Sequence, residues 1–290
     1  MKIIKYIKSK DGHTVKFLQQ TKDGHIIETG YYNLDEHILC ISTQIGCRMS
    51  CICCATALPV DTSKKSFIRN LTANEIVSEV KNTLRPINKK DLKSKKILFS
   101  YFGMGEPFLN YKNVIKSVKI LTRLFPNSRI TLCTTGIKPD LIKKLAHEKI
   151  NTLLKLQLSL QAPTDILRKK ILPRAGKIKP ALDALKYFSL TRKTPTKVVY
   201  VLIKNINDSK KCALQLVKLL KKYPFTVKLS NLNEIRNLKP SGEEKFKMFE
   251  KILSSNGIRT CRFVSDGTDI NAGCGQLRRH FYGEQCSLKT

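Results

Sequence analysis

The sequence has no long apolar run and few acidic residues. No stretch of eighteen or more apolar residues occurs, which excludes a membrane-spanning helix. The N-terminus MKIIKYIKSKDGH lacks the apolar stretch of a secretory signal, so we expect a cytoplasmic protein with no membrane partner. Internal repeats and low-complexity linkers are also missing, and 290 residues suffice for one large globular domain.

Aspartate and glutamate number only 22, against 54 lysines and arginines, and the formal net charge is +32. This excess has two interpretations. It indicates either a surface that binds nucleic-acid phosphates or lysine spread over every solvated face. Because lysines occur along the whole chain, charge alone does not decide between them.

From Ile38 onwards, short β-rich runs alternate with longer helical patterns. The predicted strands are ILCIS, KKILFSYF, RITLCTT, LLKLQLSL, KVVYVLI, FTVKLSN and IRTCRFV. The predicted helices are IVSEVKNTL, YKNVIKSVKILTRL, KPDLIKKLAHE, KPALDALKYFSL, DSKKCALQLVKLLKK and GEEKFKMFEKILSS, the first opened by a capping box of Thr72 and Glu75. Six or seven such units predict an α/β fold in which a parallel sheet forms an open or partial barrel.

Two segments flank this alternation. The first 36 residues contain the turn dipeptides Asp11-Gly12 and Asp23-Gly24, which predict small hairpins. The tail from Ser265 to Thr290 shows no strong periodicity. We therefore predict an N-terminal β-hairpin extension over residues 1–33, a core over 34–268 and a C-terminal tail over 269–290.

Cysteines are the most informative residues. The ten are Cys40, Cys47, Cys51, Cys53, Cys54, Cys133, Cys212, Cys261, Cys274 and Cys286. Four within eight residues, in a chain without a secretion signal, predict a metal centre rather than a disulfide scaffold. Cys47, Cys51 and Cys54 follow the first long predicted strand, and three thiolates from one loop suit a 4Fe-4S cluster with an open iron. Zinc bound with Cys53 or Cys40 as fourth ligand is the alternative, although no second C-x-x-C pair supports it.

Glycine and polar residues follow other predicted strands. In the loop of Gly105 and Glu106, glycine allows close approach of the backbone to a ligand and the carboxylate can accept from a cation, unless the loop is a plain turn. Ser159, Gln161 and Asn233 stand at strand ends, where polar side chains either face a barrel mouth or cap backbone groups.

Two further residues have open interpretations. Cys274 lies between glycines, on a segment that is mobile or closely approached, and its thiol is either reactive or a buried free cysteine. Glu28 lies in the predicted hairpins, and from its position alone it can be an ordinary surface glutamate.

The motif Cys47-x-x-x-Cys51-x-x-Cys54 resembles the radical S-adenosylmethionine superfamily. Together with GMGEP, Thr134-Thr135-Gly136, LQLSLQAPTD, VVYVLIKNIND and DINAGCGQL in this order, it makes nearly the whole chain resemble the RlmN/Cfr family of RNA adenine methyltransferases. The resemblance implies a partial (β/α)6 barrel, a 4Fe-4S cluster on the three cysteines and S-adenosylmethionine. It also implies ribosomal or transfer RNA as substrate and an electron donor such as flavodoxin or ferredoxin.

The resemblance assigns S-adenosylmethionine contacts to Gly105, Glu106, Cys133, Ser159, Gln161 and Asn233, of which the first two would hold its amino group. Family members usually have serine at the position of Cys133 and histidine at that of Gln161, so we expect weakened or replaced contacts at these two positions.

The same resemblance implies a covalent route. One S-adenosylmethionine would methylate the Cys274 thiol, and a radical from a second would take hydrogen from that methyl group, whose carbon would add to C2 or C8 of adenine. Cys40 would resolve the resulting link through a transient disulfide with Cys274, and Glu28 matches the proton acceptor of the family.

Typical family members carry a small RNA-binding domain ahead of the hairpins, so we expect a shortened member whose charge of +32 compensates for those contacts. Two alternatives stay open: a radical enzyme with a peptide or small-metabolite substrate, and a non-catalytic RNA-binding protein with a structural metal.

Overall fold

The computed structural model describes residues 1–58, 66–235, 237–270, 273 and 275–287, with all their side chains except those of residues 89 and 283–287. Cys274 therefore lies outside the described residues. Among the helices of the described part, none is long and apolar enough to cross a membrane.

The first three strands form an antiparallel unit built on the two predicted turns. β1 (Lys2–Lys8) pairs with β2 (Thr14–Gln20), and β2 pairs with β3 (Ile26–Asn33). The two turn glycines have φ of +75° and +84°, a conformation that glycine adopts without a steric penalty. The predicted hairpins are confirmed.

The seven predicted strands are also confirmed. They are β4 (His37–Cys40), β7 (Ile97–Tyr101), β8 (Ser128–Thr134), β9 (Leu154–Ser159), β10 (Lys197–Leu202), β11 (Thr226–Asn231) and β12 (Thr260–Phe263), each parallel to the next. β5 (Gln44–Gly46) and β6 (Phe67–Asn70) form a separate antiparallel pair.

The hairpins and the parallel strands belong to one sheet. β3 pairs antiparallel with β4, which makes ten strands in the order β1-β2-β3-β4-β7-β8-β9-β10-β11-β12. Within the described residues β1 and β12 are its edges, as in an open or partial barrel. The α/β class is confirmed, and the division into three parts stays a prediction.

The helices that the structure describes are α1 (Ala73–Leu84), α2 (Lys89–Ser94), α3 (Tyr111–Leu124), α4 (Pro139–Leu145), α5 (Asp165–Ile171), α6 (Ile178–Arg192), α7 (Lys210–Leu220), α8 (Glu243–Ser254) and α9 (Gln276–Ser287). The predicted capping box opens α1. α2 and α5 were not predicted: they have six and seven residues, and α2 contains a single apolar residue, Leu92. α9 lies in the tail, where no strong periodicity indicated a helix.

The two faces of the parallel sheet differ in polarity. In β9, Leu154, Leu156 and Leu158 are buried in the main apolar core, while the alternate residues Gln157 and Ser159 are only partly buried. Because successive strand residues point to opposite faces, the second face carries polar groups toward a cavity.

Candidate active site

A cavity of about 430 Å³ opens along the ends of the parallel strands, a size usual for small-molecule sites. Eleven of the twelve site residues predicted from the sequence line it: Glu28, Cys40, Cys47, Cys51, Cys54, Gly105, Glu106, Cys133, Ser159, Gln161 and Asn233. The twelfth, Cys274, lies outside the described residues. The fold thus brings together residues that are up to about 200 positions apart in the sequence.

The cysteine loop leaves β5 through a tight turn. Gly46 has φ +76°, and a Cβ there would lie 1.6 Å from the carbonyl oxygen of Ser66, so only glycine fits. Further along, the Ile52 N–H donates to the Ile171 carbonyl of α5 over 3.1 Å. The loop is therefore fastened at Gly46 and at Ile52, and its four cysteines, Cys47, Cys51, Cys53 and Cys54, line the cavity.

The environment of these thiols fits a cationic cluster. Burial raises the pKa of Cys47 and Cys53 to about 12 and that of Cys51 well above its usual value, and the neighbouring Cys54 raises all three further. Crowded thiolates in a dry site need positive charge to form, and a bound cluster supplies it. No group of three His, Cys, Asp or Glu side chains in the described residues is arranged to hold one metal ion. A 4Fe-4S cluster does not require this convergence, because each cysteine binds a different iron.

Glu106 is buried in the cavity wall, 3% exposed, and its carboxylate accepts from neutral donors. Oε1 accepts from the Thr134 hydroxyl (2.6 Å) and the Phe108 N–H (3.2 Å), and Oε2 accepts from the N–H (2.8 Å) and hydroxyl (2.9 Å) of Thr135. Burial nevertheless raises the pKa of Glu106, with the hydrogen bonds acting against it. A carboxylate so held, facing a cavity, suits the ammonium group of S-adenosylmethionine.

Gly105 lets this loop pass close to its neighbour. Its φ is +102°, and a Cβ would lie 2.7 Å from Gln44 Cβ and from Thr43 Oγ1. The Gln44 side-chain oxygen accepts the Glu106 N–H over 2.9 Å, which fixes the loop from the other side. Any larger residue at position 105 would displace the carboxylate that follows it.

The two positions that depart from the family pattern have local partners. Cys133 Sγ lies 3.5 Å from Ser159 Oγ, and burial raises the pKa of the Cys133 thiol to about 12, so it is a neutral group. Gln161 has φ +62°, rare for a residue with a side chain, and its Oε1 accepts the Val201 N–H over 2.6 Å. Its side-chain oxygen is therefore engaged by the sheet.

Arg168 organises this wall and was not identified from the sequence. It is 1% exposed, and its guanidinium donates to four carbonyl groups, those of Leu160 (3.0 Å), Gly176 (2.5 Å), Thr135 (2.5 Å) and Ser159 (3.0 Å). Its place three residues before buried Ile171 on α5 is the one signal that could have indicated an inward-facing arginine.

Glu28 of β3 lies beside Lys16 of β2. Lys16 Nζ is 3.2 Å from Glu28 Oε2, and both side chains are almost completely buried. The same carboxylate accepts the N–H groups of Gly275 (2.8 Å) and Arg278 at the start of α9. Lys16 was also missed, because nothing in its sequence surroundings distinguishes it from the many other lysines.

Cys40 ends β4 near this pair. Burial raises the pKa of the Cys40 thiol to about 11, Lys16 opposes that rise, and the nearby Glu79 and Glu28 add to it. The thiol is thus neutral as it stands in the folded chain, and it becomes a nucleophile only when a base or positive charge favours its thiolate.

The fold and the site define a radical S-adenosylmethionine enzyme, and the family model of the radical SAM superfamily matches residues 41–220. A protein named "Probable dual-specificity RNA methyltransferase RlmN" from Thermotoga maritima is 40% identical over 275 residues, which cover 91% of this chain and 76% of that protein. A relative of the same name from Clostridium botulinum is 38% identical, covering 97% and 80%. The crystal structure of a radical SAM methyltransferase from Sphaerobacter thermophilus superposes with a TM-score of 0.83 at 32% identity, covering 96% and 81%.

The chain belongs to the RlmN/Cfr family of radical SAM RNA methyltransferases. It is an RNA methyltransferase, and its cofactors are a 4Fe-4S cluster and S-adenosylmethionine. The resemblance described from the sequence is confirmed at this level, which sets aside the non-catalytic and the non-RNA alternatives.

Proposed function

We propose that the chain methylates an adenine carbon, C2 or C8, in ribosomal or transfer RNA through an S-methylcysteine intermediate on Cys274. A single observation carries the proposal. The cavity that contains the three cluster cysteines and the Glu106 wall is also lined by Gly273 and Gln276, which lie on either side of position 274.

In this proposal Cys47, Cys51 and Cys54 would hold the cluster, and the bound cluster would supply the electron for reductive cleavage of S-adenosylmethionine. The electron comes from a donor such as flavodoxin or ferredoxin. Gly105 and Glu106 hold the amino group of S-adenosylmethionine, because an oriented carboxylate in a dry wall favours a cation. Cys133, Ser159, Gln161 and Asn233 complete that part of the cavity.

On the substrate side, Cys274 carries the methyl group. Cys40 forms a disulfide with Cys274, and this releases the methylated RNA. Glu28 is the proton acceptor expected from the family, or it acts through the backbone groups that it binds. The burial of Cys40 fits a thiol kept unreactive until its partner arrives.

The test is Cys274→Ala, with Cys261→Ala as the control because Cys261 is partly buried on β12 and does not line the cavity. RNA from reactions with each variant is digested and analysed for methyladenine by mass spectrometry. We expect complete loss of methyl transfer in Cys274→Ala, with iron content and S-adenosylmethionine binding retained, and no loss in Cys261→Ala. Methylated RNA from Cys274→Ala would rule out the covalent route.

Cys40→Ala sharpens this test. Without the resolving thiol, the RNA stays joined to Cys274, and we expect a protein–RNA adduct that survives denaturation. Product release at the normal rate from Cys40→Ala would contradict the role of Cys40.

A further inference from the structure

The first turn of α9 is capped by a residue from the other end of the chain. Helix starts leave N–H groups without intrahelical partners, and a carboxylate is a favourable acceptor for them. Glu28 takes this role here: one carboxylate oxygen accepts the Gly275 N–H over 2.8 Å and the other accepts the Arg278 N–H. Cap and helix are separated by 247 residues of sequence.

Lys16 makes this cap possible. It lies opposite Gly30 in the β2–β3 ladder, on the same face as Glu28, and its ammonium group is 3.2 Å from Glu28 Oε2. Both side chains are at most 3% exposed. Burying a carboxylate costs free energy unless a cation and hydrogen-bond donors compensate for the lost water, so the lysine stabilises the carboxylate that binds the helix start.

The neighbours of position 274 lie tightly against the cavity wall. Gly275 has φ +81°, and a Cβ there would be 2.4 Å from the backbone nitrogen of Thr56, two residues after Cys54. On the other side, a Cβ on Gly273 would be 2.7 Å from Asn233 Nδ2. Gly275, at the helix start that Glu28 holds, therefore packs against the cysteine loop, and Gly273 packs against Asn233.

We propose that Lys16 is a positioning residue for methyl transfer: through its ion pair with Glu28 it holds the start of α9, and with it the chain on both sides of position 274, at the cavity. The inference rests on the proposed function of Cys274, and it adds a residue for which the family resemblance implies no role. Lys16 acts through Glu28 and the two backbone N–H groups, and it does not take part in the chemistry.

The experiment compares Lys16→Met with Lys5→Met in the full chain. Lys5 on β1 contacts the same helix at Phe281, with Nζ 5.8 Å from the ring centre, which makes it a matched control. In Lys16→Met we expect hydrogen exchange at the amides of Gly275 and Arg278 to accelerate about tenfold or more, which equals about 1.4 kcal/mol of lost protection. The kcat of methyl transfer should fall by about as much, whereas formation of 5′-deoxyadenosine and the KM for S-adenosylmethionine stay near those of the unaltered chain.

A second pair of variants covers the case in which Lys16→Met fails to fold. Lys16→Met/Glu28→Gln removes both members of the ion pair, and the glutamine oxygen can still accept one of the two N–H groups. If Lys16 acts only through Glu28, replacing it in the Glu28→Gln background lowers methyl transfer no further. Additive losses overturn the proposal, as does loss of methyl transfer with unchanged exchange at Gly275 and Arg278. If the unaltered chain methylates no RNA, the proposed function fails. The hydrogen-exchange measurements alone then support or overturn the role of Lys16 in holding the start of α9.

Discussion

Glu28 and Glu106 are two buried carboxylates in the wall of one cavity, and they differ in what balances their charge. Glu28 is 2% exposed and lies beside a lysine and a helix start. Glu106 is 3% exposed and accepts from hydroxyl and N–H groups, and no Lys, Arg or His of the described residues forms an ion pair with it.

This difference separates a carboxylate whose charge is balanced within the chain from one that is prepared for a cationic ligand. The cation for Glu28 belongs to the chain, so its electrostatic balance is complete before any substrate binds. At Glu106 the neutral donors set the orientation of the carboxylate and leave its charge for a cationic group from outside. The ammonium group of S-adenosylmethionine would complete that balance.

The largest effect should come from removing the built-in cation. Lys16→Met leaves Glu28 buried without its lysine partner, and we expect the free energy of unfolding to fall by about 3–5 kcal/mol in urea titrations at pH 8. Lys16→Met/Glu28→Gln should recover most of this loss, because neither charge is left. If the free energy of unfolding of Lys16→Met falls by less than about 1 kcal/mol, the ion pair contributes little to stability, and the contrast with Glu106 is lost.

A third carboxyl group in the protein interior is that of Glu79 on α1. It is completely buried; its Oε1 accepts from Thr29 Oγ1 (2.7 Å) and from the Ser42 N–H (3.0 Å), while its Oε2 has no hydrogen-bond partner. Burial raises the pKa of Glu79 from 4.5 to about 8. Between these values the folded chain retains a proton that the unfolded chain has lost, so the free energy of unfolding falls as pH rises from about 5 to 8.

Glu79→Gln tests this sign. The neutral amide should remove a decline on the order of 3 kcal/mol between pH 5 and pH 8, so that the variant is the more stable protein at pH 8. Urea titrations across this range measure the effect, with Glu148→Gln as a control because Glu148 pairs with Lys119 at the surface. The same pH dependence in both variants would mean that another group causes it.

For Glu106 the expected change is in ligand binding. Glu106→Gln loses a charge-assisted bond, and we expect the Kd for S-adenosylmethionine to rise about 10- to 100-fold, as for the loss of about 1.5–3 kcal/mol. Because the pKa of Glu106 is raised, the affinity of the unaltered chain should increase with pH as the carboxylate ionises, whereas that of Glu106→Gln should not. Equilibrium binding under anaerobic conditions measures both. A pH-dependent affinity in Glu106→Gln would assign the titration to another group.

Features that depend on residues close together in the sequence could be predicted, and features that depend on distant residues could not. The Cys47, Cys51 and Cys54 spacing and the Thr72 and Glu75 capping box are complete within a few residues, and the structure has the capping box as predicted. The parallel strands were also predictable, because a strand buried on both faces is a short apolar run. Glu106 follows one of these strands, in a loop whose glycine indicated close approach to a ligand.

The surroundings of Glu28 could not be predicted in this way. They need the β3–β4 pairing that joins the hairpins to the parallel strands, a lysine that is buried although most lysines are exposed, and a helix in a tail without strong periodicity. The contact between Glu28 and the start of α9 joins residues 247 positions apart, and no local sequence pattern records it. Arg168 is a comparable case, since its four carbonyl partners come from three separate segments of the chain.

The smallest expected effect comes from removing one of the neutral hydrogen-bond donors to Glu106. Thr134→Val keeps the shape of the side chain and removes the hydroxyl that donates to Glu106 Oε1 over 2.6 Å. That bond lowers the pKa of Glu106, so its loss raises the pKa further. We expect S-adenosylmethionine affinity to fall by no more than about tenfold, the range of about 0.5–1.5 kcal/mol for one hydrogen bond, and the loss to shrink at higher pH.

Thr29→Val, which removes the corresponding hydroxyl from Glu79, is the matched control and should leave affinity unchanged. Equal losses in both variants would mean that the affinity responds to general destabilisation, and the neutral donors of Glu106 would then have no specific part in preparing it for a cation.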